Sequence, residues 1–140
     1  MRREARNRAA AVAVAALALG GIGAPTAAAA TPEPPPASEL TLRLEALSGP
    51  GFLNRDLPRE VVLECEPAGG SHPAAQDACR SLLRVGGQFE RLSGQGACPD
   101  VWEPVLATAE GTWQGRAVSY SEIFGNLCDA AVGTDHVFAF

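Results

Sequence analysis

Residues 39–46 read Glu39-Leu40-Thr41-Leu42-Arg43-Leu44-Glu45-Ala46. Leu40, Leu42, Leu44 and Ala46 fall on one face, and Thr41, Arg43 and Glu45 fall on the other. Side chains alternate across a strand, so this is the pattern of a half-buried strand and not of a helix. Upstream, Thr31 to Ser38 reads TPEPPPAS, a proline-rich stretch suited to an extended or disordered arm. Downstream, Ser48 to Pro58 holds two Gly, two Pro, Asn54 and Asp56 and reads as a loop. The alternation then resumes over Glu60 to Glu66, with Val61, Leu63 and Cys65 inward.

Pro67 to Ser71 is a turn-rich bridge, and a helix is predicted from about Pro73. Ala75, Ala78, Cys79, Leu82 and Leu83 form one apolar stripe at helical spacing. Ser71 is the expected N-cap, and Gly86-Gly87 the expected stop. Val101 to Trp113 holds a further strand, with Val105, Ala107 and Ala109 on one face. Gln114-Gly115 is a hairpin turn, Arg116 to Ser121 returns, and Val137 to Phe140 is expected to be a last short strand. Its Phe138 and Phe140 would close the core. Several strands with one clear helix make an α+β domain built on an antiparallel sheet.

The first thirty residues differ in kind. Arg2, Arg3, Arg6 and Arg8 precede an unbroken apolar run, Ala9 to Leu19. Gly20, Gly21, Gly23 and Pro25 end that run, and Ala27 to Ala30 supply small residues. This is the layout of a secretory signal peptide over residues 1–30, and the run is too short to span a bilayer. Cleavage after Ala30 would leave an arm, 31–38, and one domain, 39–140. The 140-residue chain carries a formal charge of −5. Beyond residue 30 it keeps 7 Arg against 15 Asp and Glu, a charge of −8. No basic patch exists to neutralise phosphates, so a nucleic-acid partner is excluded. With the signal removed, no membrane association is expected of the mature form. The 4 cysteines fit two disulfides in an exported chain, with three connectivities open.

Chemistry has few places to sit. The chain has 2 His, 1 Met and no lysine. Neither His72 nor His136 lies in a recognised catalytic motif. His72 precedes Pro73 at a helix start, where an imidazole commonly bonds the local backbone. No cysteine pair has CxxC spacing, and no GxGxxG precedes a helix, so no metal, no cofactor and no enzymatic activity are expected. The unusual stretch is Cys98-Pro99-Asp100-Val101-Trp102-Glu103-Pro104, which follows Gly94, Gln95 and Gly96. Two prolines fix their own φ and bias Cys98 and Glu103 to extended geometry. A stiff, extended, tethered segment suits a groove that reads a strand, such as a protease cleft. On composition alone it reads equally as a plain disulfide-anchored connecting loop.

At this loop the sequence resembles the Streptomyces-type subtilisin inhibitor family of secreted serine protease inhibitors. The resemblance runs over about residues 39–140, in ordered blocks. These are Val61 to Pro67 with Gly70-Ser71-His72-Pro73; Ala78-Cys79 with Leu82 and Val85-Gly86-Gly87; Cys98-Pro99 with Val101 to Val105; Trp113-Gln114-Gly115 with Val118-Ser119-Tyr120; and Phe124, Asn126, Cys128 with Val137 to Phe140.

The resemblance implies a five-stranded antiparallel sheet with two helices, the second near Asp129 to Val132. It also implies disulfides Cys65–Cys79 and Cys98–Cys128, and a homodimer. It places a reactive bond at Asp100–Val101, with Ala97, Cys98, Pro99 and Trp102 contacting the protease and Asn126 supporting the loop from behind. The sequence departs from the family at one point. Asp100 stands where a large apolar or basic residue is usual. A carboxylate in a mostly apolar pocket costs several kcal/mol without a cationic partner. The expected partner is therefore a serine endopeptidase that is either subtilisin-like and tolerates Asp100, or acid-specific. The alternative is a non-inhibitory extracellular binding protein of the same fold.

Overall fold

A computed structural model of the chain describes residues 34–49 and 51–140. The expected signal peptide and the start of the proline-rich arm lie outside the described residues. Five strands form one sheet: β1 (Ser38–Ala46), β2 (Arg59–Cys65), β3 (Gly69–Gly70), β4 (Val105–Trp113) and β5 (Arg116–Phe124). Their order is β3-β2-β1-β4-β5, and every neighbouring pair is antiparallel. Two helices, α1 (Ala75–Arg84) and α2 (Leu127–Gly133), complete the fold with a 3-10 turn at Phe89–Arg91. The α+β class, the five strands and the two helices agree with expectation.

The alternating stretch is the centre of the sheet. β1 pairs with β2 on one side and β4 on the other, with Leu42 opposite both Val61 and Ala109. Leu40, Leu42, Leu44, Leu63, Val105, Ala107 and Ala109 are buried on one face of these three strands. Burying a leucine contributes roughly 1.5–3 kcal/mol, so this face holds much of the hydrophobic stabilisation. Ala78, Cys79 and Leu82 of α1 and Ala130 of α2 belong to the same core cluster. The β4–β5 turn is Gln114-Gly115, with φ of 46° and 79°, the two positive values of a type I′ hairpin.

Four local expectations are corrected. Val137 to Phe140 is a turn and not a strand. Val137 donates to Thr134 O (3.1 Å), Phe138 N–H to Thr134 Oγ1 (3.1 Å) and Ala139 to His136 O (3.2 Å), so these amides bond along the chain. Val137 and Phe138 are both buried, unlike neighbours on a half-buried strand, and the Phe138 and Phe140 ring centroids still lie 6.0 Å apart. The fifth strand is Gly69–Gly70, inside what reads as a turn. Gly70 has φ +84°, and a Cβ there would meet Val62 O at 2.3 Å, so only glycine allows this approach. Ser71 does not cap α1: its Oγ accepts from Val62 N–H (2.9 Å), and Ala74 holds the cap position without a side-chain bond. Leu83 leaves the apolar stripe and is exposed, while Ser81 is buried and donates to Asp135 Oδ2 (2.8 Å).

His72 is structural. Its buried ring accepts from Ala74 N–H at Nδ1 (3.0 Å), so Nε2 carries the proton it donates to Val137 O (2.9 Å). Aromatic packing closes the same core, with Phe89 stacked 5.0 Å from Tyr120. The hydroxyl of Tyr120 donates to Glu122 Oε2 (2.6 Å). Burial first, and then the neighbouring carboxylate, push this phenol well above the ordinary tyrosine range.

Tyr120 is the chain's 1 tyrosine, so its titration can be read without interference. A raised folded-state value means that stability is full below about pH 10, the unfolded tyrosine value, and falls as pH rises beyond it. The expected slope is about 1.4 kcal/mol per pH unit, and Tyr120→Phe should abolish it. Alkaline absorbance at 295 nm should show tyrosinate only as the chain unfolds. Reversible ionisation near pH 10 with the fold intact would contradict this packing.

Candidate functional site

The Gly94–Pro104 segment runs between the 3-10 turn and β4. Three anchors hold it. The disulfide Cys98–Cys128 ties it to α2, with a Cα–Cα distance of 5.6 Å. The second disulfide, Cys65–Cys79, joins β2 to α1 at the same Cα spacing. The second anchor is Gly94, whose N–H donates to Val132 O (3.0 Å). The third is the backbone beyond the loop: Glu103 N–H donates to Gly125 O (2.9 Å) and Leu47 N–H to Pro104 O (2.9 Å). Asp100 therefore has an independent attachment on each side.

The segment is not extended throughout. Val101 N–H donates to Pro99 O (2.9 Å), which closes a three-residue turn centred on Asp100. Proline fixes its own φ but leaves the Pro99 carbonyl free to accept, and the bend uses it. Ala97, Pro99 and Asp100 are exposed, Val101 is 39% exposed and Trp102 77% exposed. Cys98 is half-buried under the disulfide.

Asn126 lies beneath the bend and is 1% exposed. It is the N-cap of α2, its Oδ1 accepting from Asp129 N–H (3.0 Å). That bond fixes the orientation of the amide. Nδ2 then faces the loop, donating to Val101 O (3.0 Å) and more weakly to Pro99 O (3.4 Å). The remaining donor goes to Asp129 Oδ2 (2.9 Å). The amide thus spans the two residues that flank Asp100.

Sequence reasoning placed Glu103 in the stiff stretch but missed the task of its side chain. Its half-buried carboxylate accepts from Phe52 N–H (2.9 Å) and Leu53 N–H (2.7 Å) in the β1–β2 connection. No spacing in the sequence announces a contact across some fifty residues. His136, by contrast, is exposed and stands with Asp77, Arg80 and Arg84 on the α1 side. Among the described residues no group of three or more His, Cys, Asp or Glu is placed to hold a metal, and no helix is long and apolar enough to cross a membrane.

The fold is thus a one-sided antiparallel sheet with two disulfides, carrying a surface loop held by three anchors and propped by a buried amide. The subtilisin inhibitor-like family profile matches residues 37–126, and the chain belongs to that family. It is 46% identical over 85 residues to the subtilisin inhibitor of Streptomyces albogriseolus, a match covering 59% of each chain. It is 42% identical over 88 residues to protease inhibitor SIL-V2 of Streptomyces orinoci, covering 60% of this chain and 81% of that one. The fold is similar to that of Streptomyces caespitosus sermetstatin, solved in complex with Bacillus licheniformis subtilisin. There the TM-score is 0.56 at 30% identity, over 74% of this chain and 98% of the other.

Replacing Asn126 separates its two tasks. Asn126→Ser keeps an acceptor for the helix cap but loses the amide donors to the loop. Asn126→Ala loses both and should cost a further 0.5–2 kcal/mol or so of stability from the missing cap. Both variants should speed amide hydrogen exchange at Val101, and denaturant unfolding should rank Ala below Ser. Unchanged exchange at Val101 in both would show that the amide does not hold the bend.

Proposed function

We propose that the protein is a secreted inhibitor of subtilisin-like or related serine endopeptidases, with Asp100–Val101 as its reactive bond. The observation that carries this reading is the Asn126 amide bridging the carbonyls of Pro99 and Val101. A protease cuts by forming an acyl-enzyme at the carbonyl of Asp100 and releasing the amine of Val101. An ordinary substrate then loses its leaving half by diffusion. Here Cys98–Cys128 retains the acyl side, while Glu103, Pro104 and β4 retain the amine side. The amine stays beside the acyl carbonyl at high effective concentration, so re-formation of the bond competes with water. A loop ordered before binding also loses little conformational freedom on binding, which favours affinity.

Ala97, Cys98, Pro99 and Trp102 are the proposed flanking contacts, with Asp100 directed to the specificity pocket. Its carboxylate sets the target. A pocket lined by a cationic group receives it well, while an apolar pocket desolvates it at a cost of several kcal/mol, each 1.4 kcal/mol being tenfold in affinity. We favour an acid-specific enzyme for this reason. The same carboxylate is the one feature that favours the second reading, an extracellular binding protein of this fold without inhibitory activity. Residues 1–30 act as the export signal, 31–38 as a short arm and 39–140 as the inhibitory domain.

The proposed homodimer would form on the outer face of the sheet. Across β1, β4 and β5 the register sets Arg43, Thr108 and Ser121 in one row, and Leu106 beside the exposed Ile123 in the next. Thr108 and Ser121 are short, and Leu106 and Ile123 supply apolar surface that a second copy would cover. Ile123→Glu should shift the protein towards monomer in sedimentation equilibrium; an unchanged mass from a dimeric parent would move the interface elsewhere.

Inhibition constants of the chain lacking residues 1–30 should be measured against subtilisin, trypsin and a glutamate-specific serine protease. Tight inhibition of the acid-specific enzyme alone is expected, with any cleavage confined to the bond after Asp100. Asp100→Leu or Asp100→Met should strengthen subtilisin binding by tenfold or more, given the desolvation removed, to about 10²-fold. Unchanged subtilisin binding would refute the pocket argument, and no inhibition of any enzyme would favour the binding-protein reading.

A further inference from the structure

Most of the exposed large apolar side chains among the described residues gather at one end of the molecule: Leu47, Phe52, Val101 and Trp102. Val101 and Trp102 belong to the loop, and Leu47 adjoins it through Pro104 O. Phe52 comes from the β1–β2 connection and is 76% exposed. A single exposed phenylalanine signifies nothing by itself. What sets this one apart is how it is held.

The two successive amides of Phe52 and Leu53 both donate to the carboxylate of Glu103. Charge-assisted bonds of this kind are short and strong, and two of them from adjacent amides fix one geometry. Gly51 lies against the same carboxylate, where a Cβ would come within 2.4 Å of Cδ. Asn54, itself buried, closes the connection from within: its Oδ1 accepts from Gly51 N–H and its C=O from Leu57 N–H (3.2 Å). The Arg55 guanidinium stands 5.4 Å over the Phe52 ring and restrains it. Glu103 lies three residues past the proposed reactive bond. The backbone that carries the ring is thereby fixed relative to the leaving-group side of that bond.

We propose that Phe52 is a second protease-contact residue, meeting the enzyme surface beyond the cleft on the leaving-group side, and that Glu103 is the positioning residue that sets it there. The occupant is the serine endopeptidase of the preceding reading, on which this inference rests. Three properties argue for that occupant. The β1–β2 connection is tied to the loop through Glu103, the third residue past the bond, so Phe52 flanks an enzyme seated on that bond. The Phe52 backbone is pre-ordered, so burial of its ring removes apolar surface from water with little loss of backbone freedom. Arg55 places a cation at the patch on a chain of net charge −5, which suits an enzyme surface that is apolar with a carboxylate nearby.

The test uses the full exported chain and a serine protease that it inhibits. Association and dissociation rates are measured for the parent, Phe52→Ala, Glu103→Gln, the double variant, and Leu83→Ala as an exposed apolar control on α1. Phe52→Ala should raise the dissociation rate about tenfold, as loss of an interface anchor does, with the fold and the Leu83→Ala kinetics unchanged. Glu103→Gln should give a similar rise, and the double variant should add little, because Glu103 acts through Phe52. Equal dissociation rates for Phe52→Ala and the parent would overturn the contact. Fully additive effects would overturn the positioning role of Glu103. A parent chain that inhibits no serine protease would overturn the inhibitory reading itself and this inference with it.

Discussion

The side-chain amide of Asn126 is where scaffold and loop become one structure. Its oxygen caps α2 and its nitrogen reaches the carbonyls of Pro99 and Val101. Asp129 takes part twice, donating its N–H to Oδ1 and accepting from Nδ2 with its carboxylate. The amide is buried, so each of these bonds forms out of competition with water, and a reversed amide would leave several groups unpaired. The helix start, the loop position and the orientation of one side chain are thus a single constraint. Shifting α2 moves the bend, and the disulfide Cys98–Cys128 resists that shift from the other side.

That constraint depends on a sheet that does not itself move. β1 lies at its centre with neighbours on both sides, and its three leucines are fully buried. Gly87 shows how tightly the far edge closes: it has φ +75°, and a Cβ there would strike the Trp113 ring at 2.3 Å. Surface charge adds little. The Arg43–Glu45 pair (2.8 Å) is solvent-exposed, and although hydrogen bonding and attraction to Arg43 hold the Glu45 carboxyl below its usual range, such pairs are weak.

The parts legible in the sequence are those set by periodicity. Strand alternation finds β1, β2 and β4, and helical spacing finds α1. The proline-flanked Cys98 to Pro104 stretch marks the site. What the sequence concealed was decided by backbone geometry or by distant partners. Gly69–Gly70 has no side chains to alternate, and it joins the sheet because nothing prevents close approach to Val62. Val137 to Phe140 alternates plausibly, but Thr134 captures the backbone of Phe138, and the preceding Asp135 and His136 sit at positive φ. The segment turns under the core instead of joining an edge. The bend at Asp100 was likewise hidden, because proline rules constrain φ and leave the Pro99 carbonyl free to accept.

Glu103 gives the last step. Its place before Pro104 reads as an element of stiffness, and stiffness is a local property. The structure gives its side chain a non-local task, holding two amides of the β1–β2 connection. The two readings are complementary. Pro104 biases Glu103 towards extended backbone, and β4 begins immediately afterwards at Val105, so the carboxylate leaves a rigid point in a defined direction. A carboxylate on a mobile loop would hold Phe52 and Leu53 loosely, whereas one at the root of a strand passes the rigidity of the sheet to both loops. The molecule therefore presents two surface loops with one fixed relation, set by a single side chain between them.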